Sequence, residues 1–73
     1  MASFRNKFKE LRISSGYTQQ ELADKFDVSQ STITMWENGK RQPDLETLEC
    51  IADFFNVDMN YLTGTSEKTT RIL

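Results

Sequence analysis

The chain has 73 residues, 37% of them hydrophobic, with nine basic and eleven acidic side chains giving a net charge of −2. That length holds one small domain with a single core and excludes a second. One cysteine and no histidine exclude an intramolecular disulfide and a structural zinc cluster, so packing alone must hold the fold.

The opening segment, MASFRNKFKE, is charged where a secretory signal would be apolar, and no run of eighteen apolar residues occurs. The expected compartment is therefore the cytoplasm. Over residues 3–14, Phe4, Phe8 and Leu11 recur at helical spacing while Arg5, Lys7, Lys9 and Glu10 take other faces, which predicts a first helix. Gly16 fits the position just past its end. Thr18-Gln19-Gln20-Glu21 has the form of a capping box, in which hydroxyl and carboxylate each satisfy a first-turn amide. Leu22, Ala23 and Phe26 give the second helix a buried side.

Asp27-Val28 forms a turn, and Ser29 caps a third helix that ends at Glu37-Asn38 before Gly39. A separation of about three residues between two helices is the helix-turn-helix spacing. Lys40-Arg41-Gln42-Pro43 is a polar loop, since Pro43 cannot sit inside a helix. Asp44 caps a fourth helix with an apolar stripe of Leu45, Leu48, Ile51, Ala52 and Phe55, and residues 58–62 form a short fifth helix closed by Gly64. All three glycines thus fall just past helix ends, and these signals together predict an all-α, compact five-helix bundle over residues 1–64. Residues 65–73, polar except for Ile72-Leu73, are expected to be a linker or flexible C-terminal tail.

The third helix has two unlike faces. At about 100° per residue, Ile33 and Trp36 share one side with Thr32 and Glu37, while Gln30, Ser31, Thr34, Met35 and Asn38 share the other. The second face is uncharged, offers donors, acceptors and one small apolar contact, and is followed at once by Lys40 and Arg41. A helix of this kind can enter a DNA major groove and read base edges. The charge distribution agrees: residues 1–41 carry seven basic side chains against five acidic, whereas residues 42–66 carry five acidic and none basic. One surface is suited to an anion and the other is not. Catalysis finds no support, because the carboxylates and the lone Cys50 have no histidine, metal cluster or glycine-rich loop to work with. No enzyme activity and no cofactor is expected.

The motifs Leu11-Arg12, Gly16-Tyr17-Thr18-Gln19-Gln20-Glu21-Leu22-Ala23, Val28-Ser29-Gln30-Ser31-Thr32-Ile33, Trp36-Glu37-Asn38-Gly39-Lys40-Arg41-Gln42-Pro43, Leu48, Ile51-Ala52, Val57 and Tyr61-Leu62 span about residues 4–64. In this order they closely resemble the Cro/cI-type (XRE) helix-turn-helix domain of phage repressors and bacterial regulators. The resemblance implies a lambda repressor-like five-helix bundle that binds a pseudo-palindromic operator in double-stranded DNA as a homodimer. It implies base contacts from Gln30, Ser31, Thr34 and Met35. Gln30 suits adenine, whose N6 and N7 match an amide, and Met35 suits a thymine methyl. It implies phosphate contacts from Thr18, Gln19, Ser29, Thr32, Asn38, Lys40 and Arg41, Gln19 being helped by the amides and dipole at the start of its helix. It also supplies a partner for Glu37, which the wheel places on the buried side: Arg12 of the first helix, in an ion pair.

The base-facing row departs from the commonest pattern in having no Arg or Lys, so an operator rich in A·T at the inner contacts is expected. Phe4, Phe8, Trp36 and Phe55 are expected in the core, Cys50 half-exposed beside the fourth-helix stripe, and Phe54 either at a core edge or on a dimer face with Tyr61, Leu62, Ile72 and Leu73. The function these features imply is that of a transcriptional regulator, most specifically the N-terminal operator-binding domain of a phage or prophage-type repressor. Two alternatives remain open: a small controller or antitoxin-type regulator with the same module, and a protein-binding adaptor that uses the acidic fourth and fifth helices.

Overall fold

The structure, a computed structural model, describes residues 4–64. It contains five helices: α1 (Phe4–Ser14), α2 (Gln19–Phe26), α3 (Gln30–Asn38), α4 (Leu45–Phe55) and α5 (Met59–Thr63). There is no strand among the described residues, and no helix is long and apolar enough to cross a membrane.

Four of the helices begin on a side chain that accepts from a first-turn amide. Thr18 Oγ1 accepts from Glu21 N at 3.0 Å while Thr18 N donates to Glu21 Oε1 at 2.8 Å, which completes the capping box. Ser29, Asp44 and Asp58 accept from Thr32 N, Thr47 N and Asn60 N. Each such cap contributes about 1 kcal/mol. The ends are also set by single residues: Gly16, Gly39 and Gly64 take positive φ, and so do Asp27 (58°) and Asn56 (56°). Asp and Asn tolerate this region better than other side chains because they can bond locally. Asn56 therefore closes α4 where the sequence offered no glycine.

Phe8, Leu22, Ile33, Ile51 and Leu62 are fully buried, one from each helix, each side chain contributing about 1.5–3 kcal/mol by leaving water. Phe8 is the centre of an aromatic cluster, stacked on Phe4 (5.3 Å between centroids) and met edge-on by Trp36 (5.7 Å) and Phe55 (6.3 Å). These contacts fix α3 against α1, and α2 closes over its other flank.

Three expectations change. Lys7, set off the apolar face of α1 by the periodicity, is only 8% exposed, with Nζ 4.2 Å from the Tyr61 ring centroid. Leu45, assigned to the α4 stripe, is 67% exposed: it is the first residue of the helix, and the stripe reaches its neighbours only from Leu48 onward. Tyr61 and Leu62 are core residues and do not form a dimer face. Cys50 is exposed, beside the α4 stripe. Phe54 has its ring centroid 5.1–5.4 Å from those of Tyr17, Phe26 and Phe55, yet it stays 36% exposed, so it borders the core with one side open. Ile72, Leu73 and the expected tail lie outside the described residues.

Candidate nucleic-acid interface

A helix read by a groove must be held from behind and bare in front. Ile33 and Trp36 supply the hold, at 0% and 4% exposure, and Thr32 is half-buried beside them. In front, Gln30, Ser31, Thr34, Met35, Asn38 and Lys40 line one shallow open hollow. Gln30, Ser31, Asn38 and Lys40 are exposed, whereas Thr34 and Met35 are half-buried. The four residues expected to face bases are therefore contiguous, with Asn38 and Lys40 at their edge.

Behind this surface runs a chain of polar contacts. Arg12 Nε donates to Glu37 Oε2 at 2.6 Å and Nη2 to Oε1 at 3.1 Å, a bidentate pair with the Glu37 side chain 3% exposed. Arg12 Nη1 also donates to the Tyr17 carbonyl at 3.0 Å, tying α1 to the loop before α2. Gln19 Nε2 donates to Glu37 Oε1 at 3.1 Å. Because a carboxylate only accepts, this contact fixes which way the Gln19 amide is turned, and Gln19 Oε1 must point toward α3. There it accepts from Thr34 Oγ1 at 3.1 Å and, more weakly, from Gln30 Nε2 at 3.4 Å. The buried ion pair is thus connected to Thr34 and Gln30, two of the residues expected to face bases, through one amide.

That connection changes the place of Gln19, which the resemblance assigns to phosphate. Its carbonyl and one N–H are used inside the protein, and a single N–H remains for an outside partner. Thr18 and Ser29, also assigned to phosphate, are exposed at the starts of α2 and α3, where unsatisfied amides gather. The Ser29 hydroxyl is 3.0 Å from that of Thr32. Arg41 does not line that hollow; it lines a second recess together with Arg5 and Gly39. Sequence periodicity set Arg5 off the apolar face of α1 and gave it no partner; its Nη1 donates to the Asn38 carbonyl at 3.4 Å. A first-turn cation with no acidic neighbour in that turn was the only available signal.

Two helices joined by residues 27–29, with the second held by its apolar back and bare in front, define a helix-turn-helix unit inside a five-helix domain. The helix-turn-helix family model matches residues 8–62, and the chain belongs to that family. It is 39% identical over 67 residues to the HTH-type transcriptional activator BcrR of Enterococcus faecalis, covering 92% of this chain and 33% of that protein. It is 35% identical over 65 residues to the HTH-type transcriptional regulator ImmR of Bacillus subtilis (89% and 51%). It is 34% identical over 64 residues to the cryptic phage CTXphi transcriptional repressor RstR of Vibrio cholerae (88% and 58%). The chain thus spans between a third and three-fifths of the length of these relatives.

Proposed function

We propose that this chain is the operator-binding domain of a transcriptional regulator of the phage or prophage-repressor kind, acting on double-stranded DNA in the cytoplasm. The observation that carries the reading is the uncharged row of Gln30, Ser31, Thr34 and Met35 lining one hollow on α3, with Lys40 and Arg41 directly after its C-cap, Gly39. In this reading α3 lies in the major groove with Gln30 and Ser31 leading. Gln30 meets an adenine, Met35 a thymine methyl, and Thr18, Gln19, Ser29, Thr32, Asn38, Lys40 and Arg41 hold the flanking phosphates. As a homodimer it would set two such helices in successive major grooves about 34 Å apart on a pseudo-palindromic site. Occupation of a promoter by that dimer would block polymerase. The names of the relatives include both an activator and a repressor, so the sign of regulation depends on where the operator lies and on what the domain is joined to.

Selection from a random duplex pool, followed by salt titration on the enriched site, tests the proposal. The expected result is a two-fold symmetric site whose log K falls with log salt at about −0.9 per phosphate contact. Absence of duplex affinity at low salt would instead favour a protein-binding adaptor, with the acidic surface of α4 as its contact.

A further inference from the structure

Two cations meet at the end of α3. Arg5 stands in the first turn of α1, where a positive charge faces the positive end of its own helix and gains nothing locally. Its side chain leaves that helix and crosses to α3, where Nη1 donates to the Asn38 carbonyl at 3.4 Å, one of the four that a helix end leaves open. The crossing runs directly over the cap glycine: a Cβ on Gly39 would lie 2.9 Å from both Arg5 Cδ and Nη1. Beyond it opens a recess of ≈ 300 Å³ whose polar lining is Arg5, Asn6, Arg41 and Gln42. No carboxylate lines it, and among the described residues neither Arg5 nor Arg41 has an acidic partner.

We propose that this recess is a phosphate site and that Arg5, together with Arg41, grips one backbone phosphate of the DNA strand that α3 reads. The proposal rests on the DNA-binding reading above and adds a residue to it. A guanidinium carries five N–H donors in a planar fork suited to phosphate oxygens, and Arg5 spends one on Asn38. Two guanidinium groups and no carboxylate line the recess, and an anion between like charges turns their repulsion into attraction, so the site favours the bound state. The recess and the base-reading hollow are neighbours along the chain: Asn38 and Lys40 line the hollow, while Gly39 and Arg41 line the recess. An anion held there lies beside the end of α3, where the backbone of a strand read by that helix must pass.

The test uses the full chain and a duplex that the wild type selects. Arg5→Gln keeps an N–H donor and loses the charge; Lys9→Gln removes a cation from α1 outside the recess. The expected result is that Arg5→Gln weakens all duplexes several-fold at low salt and lowers the salt slope by about 0.9, one phosphate contact. Base preferences stay in the same order, Arg5→Lys restores the slope, and Lys9→Gln leaves it unchanged. A slope unchanged in Arg5→Gln, with affinity falling only in step with a lower Tm, would make Arg5 a cap of α3 alone and overturn the proposal. An equal slope loss in Lys9→Gln would overturn it as well, by showing a diffuse charge effect. A wild type that binds no duplex removes this site together with the DNA-binding reading, and that outcome is separable because it appears before any variant is made.

Discussion

The ammonium of Lys7 lies 4.2 Å from the centre of the Tyr61 ring, so the first and last helices are joined by a cation resting on an aromatic face in a nearly closed setting. The stem of Lys7 covers apolar surface while its head keeps polar company. Lys7→Met preserves the stem and removes the charge. The expected outcome is a loss of about 0.5–2 kcal/mol in urea denaturation, with the salt slope of DNA binding unchanged. An unaltered midpoint would show that packing alone joins the two helices.

The bidentate Arg12–Glu37 pair makes a separate prediction, because removing one partner and removing both have different costs. Arg12→Met strands a carboxylate that is 3% exposed and should cost about 3–5 kcal/mol, a large part of the stability of a domain this size. Arg12→Met with Glu37→Leu should recover most of that loss, since a buried ion pair is often replaceable by apolar side chains. Sequence discrimination should not recover with it, because Gln19 then has no acceptor to orient its amide. Recovery of both would show that Glu37 has no part in presenting α3.

At the interface, Gln30→Ala should lose about 1–3 kcal/mol of discrimination at one base position, whereas Lys40→Ala should weaken every duplex alike and lower the salt slope by about one contact. Competition among single-base variants of the selected site separates the two. Equal weakening on all sites by Gln30→Ala would show that it does not read bases.

Gly16 and Gly39 form a matched pair for the crossing of Arg5. Both have φ near 80° (80° and 77°), so alanine at either should cost about 1–2 kcal/mol in dihedral strain. A Cβ at Gly16 meets nothing within 4 Å, while one at Gly39 strikes Arg5. Gly39→Ala should therefore weaken DNA binding beyond its effect on Tm, and Gly16→Ala should not. Parallel behaviour of the two in both assays would show that the position of Arg5 is immaterial to binding.

One carboxylate gives an acid-side signature. Thr47, through its side chain and then its backbone N–H at 2.9 Å, holds the Asp44 carboxyl below its ordinary value of 3.8. A lowered folded value means that the added stability is present above 3.8 and is lost as pH falls through the lowered value. Asp44→Asn keeps a cap without a titrating charge, so the Tm advantage of the wild type at neutral pH should vanish in that acid range. A constant advantage down to the lowest pH would show that the cap charge does not contribute.

Much of the fold was legible because its signals are local. The capping box at Thr18–Glu21, the caps at Ser29 and Asp44 and the glycines past helix ends each depend on a few neighbouring residues, and the two faces of α3 follow from a single period. What was not legible depends on how helices meet. Nothing near Lys7 in the sequence announces Tyr61, and nothing near Leu45 shows that α4 begins beyond the reach of its neighbours. The Gln19 amide illustrates the same limit at the site. Its place at the start of α2 was readable, yet its attachment to Glu37, Thr34 and Gln30 arises only when α2 and α3 pack.

That attachment bears on how such a domain acquires new targets. The proposed reading surface, hydrogen-bonded through Gln19 to an interior charge, cannot be re-addressed freely one substitution at a time. A change at Gln30 or Thr34 alters what Gln19 must satisfy, and a change at Gln19 leaves Glu37 an acceptor short. Under the proposed DNA-binding reading, divergence of operator preference would therefore proceed by coordinated exchanges at these positions, and libraries built to retarget the domain would yield more folded members if Gln19 is varied together with Gln30 and Thr34.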